Sequence, residues 1–235
     1  MEDTITIGEL SIHLTRKNVK HAHLSVHPPN GEITLVAPEA TRVEVARAYA
    51  ISKLGWIREQ RRAFDQQARE APREYVERES HYLWGRRYLL GIEQASGRSH
   101  VRLDHKRITL VVKPGSDAAA REDVMRKWQR GLLHEVVPVL IRRWEPRLEV
   151  SVSRYYLQRM KTRWGSCNHQ ARHIRLNTEL VKKPKDLLEY VVVHEMAHLL
   201  EPDHGERFVA LLDRHRPAWR ESRAELNELP LVSEV

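Results

Sequence analysis

The segment that most constrains this chain is the run YVVVHEMAHLL at residues 190–200, which lies late in a helix predicted from about residue 185 to 200. On a helix, His194 and His198 share one face and lie about one turn apart. Two imidazoles in this arrangement can bind one zinc ion at about 2.0–2.1 Å. The spacing therefore predicts a metal site, with Glu195 beside the first ligand as general base.

A third metal ligand is expected downstream, because a catalytic zinc ion takes three protein ligands and keeps one position open. Pro202 ends the helix, and His204 follows ten positions after His194. His204 is therefore the predicted third ligand. Glu221 or Glu225 is the less favoured alternative, by analogy with zinc peptidases whose glutamate ligand lies on a later helix.

The charge of the chain bears on its partners. It contains 40 Lys and Arg against 32 Asp and Glu, a formal charge of +8. Such a surplus supports binding to nucleic acid or acidic substrates, but no long Lys/Arg block or aromatic-rich nucleic-acid motif accompanies it. Nucleic acid is therefore a less favoured partner than a peptide or protein substrate.

Several features indicate the compartment. No stretch approaches the length of about 18 uncharged apolar residues that a membrane helix needs, and the first residues, MEDTITIGEL, do not resemble a signal peptide. Cys167 is the single cysteine, so no intramolecular disulfide can form, in agreement with a reducing compartment. We expect a cytoplasmic protein without a membrane partner.

The hydrophobic periodicity of the first half predicts a mixture of sheet and helix. The first forty residues alternate apolar and polar side chains around a PPNG turn at 28–31, which favours a small antiparallel sheet. A long amphipathic helix is expected over about 41–67 and strands over 82–112. A second helical region is expected from about 118 to 144, with a kink near Pro138.

The second half continues this α+β pattern. Strands are expected at LEVSV (148–152), YYLQRM, TRWGSCN and HIRLNTEL, followed by helices over about 185–200 and 206–212. No internal repeat is visible. We expect an N-terminal β-rich accessory region with one long helix at 1–117 and the catalytic domain at 118–235.

Short motifs along most of the chain make it similar to a known family. They are AP at 37–38, WI at 56–57, YLWGRRY at 82–88, TRWGSC at 162–167, LN at 176–177 and YVVVHEMAHLLEPDH at 190–204. Together they resemble the YgjP-like metallopeptidases, relatives of the SprT-like and WLM proteases in the zincin group. The resemblance implies a zincin-like core, with a small sheet packed on the zinc helix and its edge strand lining the cleft. It also implies that His194, His198 and His204 bind one zinc ion per chain and that Glu195 is the base.

The predicted activity is peptide hydrolysis. Zinc would polarise the scissile carbonyl and lower the pKa of its bound water, while Glu195 would accept the water proton and pass it to the leaving amine. An extended peptide would pair with the edge strand. The alternative function is a non-catalytic zinc-containing module that binds nucleic acid or a partner protein, for which we expect a fourth protein ligand on the metal.

Five further residues are weaker candidates. Cys167 could serve as a thiolate or inhibitory ligand but is favoured as a small buried residue. Arg163 and Asn177 could orient substrate or stabilise an oxyanion but are favoured as residues that cap turns. Tyr190 and His215 could assist the developing oxyanion, and Tyr190 is equally expected to pack in the core.

Overall fold

The computed structural model describes residues 2–27, 32–66, 73–160 and 163–228. The described residues form two compact units, one ending at Gln66 and the other running from Arg73 to Glu228. The predicted PPNG turn at 28–31 lies outside the described residues. The predicted boundary between an accessory region at 1–117 and a catalytic domain at 118–235 is a functional division, and it stays a prediction.

The first unit contains a four-stranded sheet in the order β1-β2-β4-β3. Its strands are β1 (Glu2–Ile7), β2 (Leu10–Lys17), β3 (His23–His27) and β4 (Glu32–Pro38). β1 and β3 pair antiparallel with their neighbours, whereas β2 and β4 are parallel. The expectation of an antiparallel sheet is therefore wrong for the central pair. The alternating pattern encodes which face is buried, and it carries no information on the direction of a neighbouring strand.

Two helices follow this sheet where the sequence predicted one. α1 (Val43–Ser52) and α2 (Leu54–Gln66) are separated at Lys53. Lys53 has φ −104° and ψ 6°, and its N–H donates to the carbonyl of Ala50, three residues back, at 3.1 Å. The core of the unit is formed by side chains that alternate along the strands and by one face of the helices, among them Ile5, Ile12, Leu14, Ile33, Leu35, Ala46, Ala50 and Ile57.

The second unit begins with a sheet of the same topology. β5 (Ser80–Leu83), β6 (Arg86–Gln94), β7 (His100–Leu103) and β8 (Arg107–Val112) adopt the order β5-β6-β8-β7, with the same parallel central pair and antiparallel outer pairs. The fourth strand of each sheet contains ITLV, at 33–36 and at 108–111. The two sheets therefore share one strand topology, although no internal repeat is visible in the sequence.

A single long helix, α3 (Ala118–Leu148), follows the second sheet. It begins at Asp117, whose carboxylate accepts a hydrogen bond from the Ala120 amide at 2.8 Å. The helix continues through Pro138, packs against β7 and β8, and ends at Glu149 in the left-handed conformation. The predicted helix over 118–144 is confirmed, and the predicted kink near Pro138 stays a prediction. The strand predicted at 148–152 is wrong, because these residues form the end of α3 and the loop after it.

A small third sheet and three helices complete the second unit. β9 (Arg154–Gln158), β10 (Gly165–Asn168) and β11 (His173–Asn177) adopt the order β10-β11-β9, so β10 is an edge strand. After a 3-10 helix at Thr178–Lys182 come α4 (Lys185–Ala197), α5 (Glu206–His215) and α6 (Trp219–Glu228). α4 packs against β10 and β11, and also against the three helices α3, α5 and α6.

The start of α4 is fixed by the first turn of the second sheet. The amides of Trp84 and Gly85 donate to the carbonyls of Val181 and Lys182 at 2.8 and 3.1 Å. Gly85 has φ +78°, and a Cβ at this position would lie 2.8 Å from Cγ of Pro184, the residue that precedes α4. Only glycine combines this backbone conformation with this close approach. The turn between β5 and β6 therefore helps to fix the position at which α4 begins.

The fold class agrees with the prediction: an α+β protein with a zincin-like core, in which a small sheet packs on the helix that carries HEMAH. None of the helices within the described residues is both long enough and apolar enough to cross a membrane. α6 was not predicted, because its many charged residues conceal the three that are buried at helical spacing, Trp219, Ser222 and Leu226.

Candidate metal centre

The three predicted histidines come from the end of α4 and the loop that follows it. Apolar side chains of α4 are buried on several sides, which explains the unbroken run of valines before His194. His194 lies on the last turn of the helix, and His198 is the residue that caps its C-terminus. The chain then turns at Pro202, and His204 lies two residues before α5 begins at Glu206.

The imidazoles of these histidines converge. Nε2 of His204 lies 3.0 Å from Nε2 of His194 and 3.2 Å from Nε2 of His198. Two nitrogens bound to one tetrahedral zinc ion at about 2.0–2.1 Å are about 3.3 Å apart. Within the described residues, these histidines form the group of three potential ligands whose donor atoms all lie within 4.8 Å of one another. The donor set therefore fits a zinc ion.

A phenylalanine supports all three imidazoles from one side. The ring of Phe208, on α5, stacks on His198 at 4.5 Å between ring centroids. It also meets the rings of His194 and His204 at steep angles, at 5.0 and 4.8 Å. Tyr190, one turn before His194 on α4, adds an edge contact to that histidine at 5.8 Å. Because Phe208 is buried, these contacts restrict the orientation of the cluster.

The protonation of the cluster suits metal binding. Nδ1 of His198 lies 3.0 Å from the carbonyl oxygen of Glu201. A carbonyl only accepts, so Nδ1 carries the proton and the lone pair of Nε2 faces the cluster. Burial, with smaller contributions from the neighbouring imidazoles, lowers the pKa of His194 to about 3. Burial also lowers the pKa of His198. Both rings are therefore neutral at pH 7, as metal ligation requires.

Glu195 lies beside the cluster and is nearly buried, with 5% of its surface exposed. Burial raises the pKa of its carboxyl group to about 8, and the nearby guanidinium of Arg163 opposes this shift. A carboxyl group with a pKa close to neutrality can both accept and return a proton near pH 7.

The edge strand β10 approaches Glu195 very closely at Gly165. A Cβ built on Gly165 would lie 2.5 Å from Oε1, 2.7 Å from Cγ and 2.8 Å from Cδ of Glu195. Atoms do not approach this closely without a shift of one partner, so the position of the carboxylate depends on glycine here. The backbone of Gly165 does not have positive φ, which leaves the space for Glu195 as the reason for this residue.

An open cleft extends to both sides of Gly165 and Glu195. One lobe, the polar lobe, has a volume of about 410 Å³ and is lined by Ser166, Cys167, His169, Pro202 and the histidine cluster. The other, the apolar lobe, has a volume of about 460 Å³ and extends between α4, α5 and α6. Arg163, Gly165, His194, Glu195 and His204 line both lobes. Both lobes of the cleft therefore reach Glu195 and the histidine cluster.

Asn177 binds backbone groups of neighbouring turns, which is the role that the sequence analysis favoured over substrate binding. Its side chain is fully buried, and its amide group donates to the carbonyls of Met160 and Arg163 at 2.9 and 2.8 Å. Its carbonyl oxygen accepts from the amides of Met160 and Glu179 at 3.3 and 3.2 Å. Asn177 thus fixes both ends of the segment that leads into β10, whereas the exposed side chain of Arg163 faces the cleft.

The other candidates differ in their relation to the cleft. Cys167 is half-buried in the polar lobe, and burial raises the pKa of its thiol to about 11, with a contribution from Glu195. Within the described residues, its sulfur does not join the three histidines as a potential metal ligand. His215 lies at the end of α5 and lines neither lobe. Glu221 and Glu225 are exposed on α6 and do not join the histidine cluster.

Two residues at the site were not predicted from the sequence. Phe208 carries a weak signal, because it lies four residues after His204 in an apolar position of an amphipathic helix. Gly165 carries none, because its close neighbour Glu195 is thirty residues away in the chain. The TRWGSC motif contains this glycine, but the motif alone does not indicate that the glycine makes room for Glu195.

An HExxH helix packed on a small sheet is typical of the zincin class of metallopeptidases, and here a downstream histidine completes a three-imidazole cluster. The chain belongs to the family described as "YgjP-like, metallopeptidase domain", whose model matches residues 21–229.

The crystal structure of the metallopeptidase zymogen jannalysin from Methanocaldococcus jannaschii is similar at 21% sequence identity, with a TM-score of 0.34, over 38% of this chain and 92% of that one. No curated protein matches the chain.

Proposed function

We propose that the protein is a zinc-dependent peptidase in which His194, His198 and His204 hold one zinc ion and Glu195 is the general base. One observation carries the proposal: three imidazole nitrogens converge beside a buried carboxylate, in a cleft that follows an edge strand. The substrates are peptides or proteins. A cytoplasmic location and a subordinate role for nucleic acid stay predictions.

The chemistry is divided between the metal and the protein. When bound, zinc supplies Lewis acidity, which polarises a carbonyl group and lowers the pKa of water. Glu195 accepts a proton from the attacking water and delivers it to the amine of the leaving peptide. No serine or cysteine nucleophile is required.

The edge strand supplies a place for the peptide backbone. Among the strands that the structure describes, β10 pairs only with β11, so its other edge would offer backbone groups to an extended peptide. Three of its residues, Gly165, Ser166 and Cys167, line the polar lobe. A peptide paired with β10 would pass across Glu195 and the histidine cluster, which places a scissile bond between the two lobes.

A single substitution tests the role of Glu195. We expect Glu195→Gln to retain zinc and to lose about 10²- to 10⁴-fold in turnover of a peptide mixture, the usual contribution of a general base. The matched control is Glu225→Gln, on the exposed face of α6, which also tests the alternative metal ligand. Initial rates and zinc content are measured on the same preparations. Equal rates for Glu195→Gln and the wild type would refute the assignment.

The alternative, a non-catalytic zinc module, predicts a metal site closed by a fourth protein ligand. In the described part of the chain, no Cys, Asp, Glu or further His side chain joins the three histidines within ligand distance. This open arrangement supports the peptidase proposal over the binding module.

A further inference from the structure

The two lobes of the cleft differ in chemistry. The polar lobe presents a hydroxyl, a thiol and an imidazole from Ser166, Cys167 and His169. The apolar lobe is walled by Trp164, Tyr190, Val191, Phe208, Val209 and Leu226. Both lobes reach Glu195, so the two flanks of a scissile bond would meet different environments.

The apolar lobe has the size and the rigidity of a binding pocket. Its volume of about 460 Å³ falls within the usual range of ligand pockets, about 300–1,000 Å³. Tyr190, Val191, Phe208 and Leu226 are each less than 5% exposed, so these walls are fixed by core packing. Val209 is half-buried on α5 and contributes to the same wall. A pocket of this kind is complementary to a large apolar side chain.

Apart from Glu195, the charged residues that line the apolar lobe are positively charged. Arg163 and Arg223 line it, and both side chains are exposed. Two guanidinium groups repel a lysine or arginine side chain that would enter the pocket. The lobe therefore selects against basic side chains as well as in favour of apolar ones.

We propose that the apolar lobe is a specificity pocket for a bulky apolar or aromatic side chain of the substrate, on one flank of the scissile bond. This inference rests on the proposed peptidase function, because it assigns the substrate class of the same cleft. Lysine and arginine are disfavoured at that flank.

The first test is a cleavage profile. The zinc-loaded enzyme is incubated with a proteome-derived peptide mixture, and the cut sites are identified by mass spectrometry. One flanking position should favour Leu, Met, Phe, Tyr or Trp over Lys and Arg by about 10-fold or more, the effect of burying one large side chain. Cleavage without such a preference would overturn the specificity pocket and leave the peptidase function intact.

The second test measures binding without turnover. Two acetylated pentapeptide amides that differ only in Phe or Ser at the central position are titrated calorimetrically into zinc-loaded Glu195→Gln protein. The Phe peptide should bind about 10- to 100-fold more tightly. Equal affinities would overturn the proposal even if no peptide is ever cleaved, so the two failures are distinguishable.

Variants that fill the apolar lobe test whether the preference for the Phe peptide arises there. Val209→Phe, introduced into the Glu195→Gln protein, adds a ring to the wall of the apolar lobe, so the preference for the Phe peptide should fall to within about 3-fold. Asn227→Phe, on the rim of the lobe, provides a second block from α6. The control is Ala210→Phe, the exposed neighbour on α5 that does not line the lobe. Persistence of the full preference in both blocking variants, each shown to be folded, would contradict the assignment.

Discussion

Gly165→Ala tests whether the edge strand positions the general base. The added Cβ would lie 2.5 Å from Oε1 of Glu195, whereas ordinary contacts of a Cβ begin at 3.4 Å. Relief of the overlap requires a displacement of 3.4 − 2.5 = 0.9 Å, by the carboxylate or by β10. A misplacement of about 1 Å at a reacting centre can cost about 10²-fold in rate. Overpacking of a fixed site costs about 1–3 kcal/mol in stability.

We therefore expect Gly165→Ala to lower kcat by about 10²-fold while zinc content stays at the wild-type level, because the three atoms nearest the new methyl group all belong to Glu195 and none belongs to a histidine of the cluster. Activity is measured on a peptide mixture and zinc by mass spectrometry. The control is Gly131→Ala on α3, where a Cβ meets nothing within 4 Å. In a helix this change is expected to stabilise by about 0.5–1 kcal/mol. Wild-type kcat in folded Gly165→Ala would refute the reasoning.

Three further predictions concern stability. Phe208→Ala should cost about 3–5 kcal/mol in urea unfolding, because the buried ring supports three imidazoles. Asn177→Ala should cost about 1–3 kcal/mol in the same assay, since it leaves partly buried backbone groups of Met160 without this partner. Burial lowers the pKa of His81 below its usual 6.5 despite its contact with Glu79, so stability should fall as the pH drops below 6.5. Unfolding measured against pH should show a shallower decline for His81→Gln, and equal slopes would contradict this reasoning.

The histidine cluster was predictable from the sequence because its members are local. His194 and His198 share a helix, and His204 follows after a short loop, so spacing alone brings the three side chains together. The same reasoning placed Glu195 beside them. The long helix α3 was equally accessible, because its periodic apolar positions extend over many turns.

The parts that sequence reasoning missed depend on contacts between distant segments. The parallel pairing of β2 with β4 and the close approach of Gly165 to Glu195 leave no local signal. The apolar lobe forms only where α5 and α6 pack against α4, which are contacts between separate segments of the chain. The interruption at Lys53 was missed for a different reason, since the apolar spacing continues across it in the sequence.

Metal content tests the central claim most directly. Wild-type protein, His204→Ala and His215→Ala are purified without added metal and analysed by mass spectrometry. His215 is the matched control, because it lies at the end of α5 outside the cluster. The account predicts about one zinc ion per chain in the wild type and in His215→Ala, with a sharp loss in His204→Ala. Wild type without zinc, or undiminished zinc in His204→Ala, would contradict the three-histidine site.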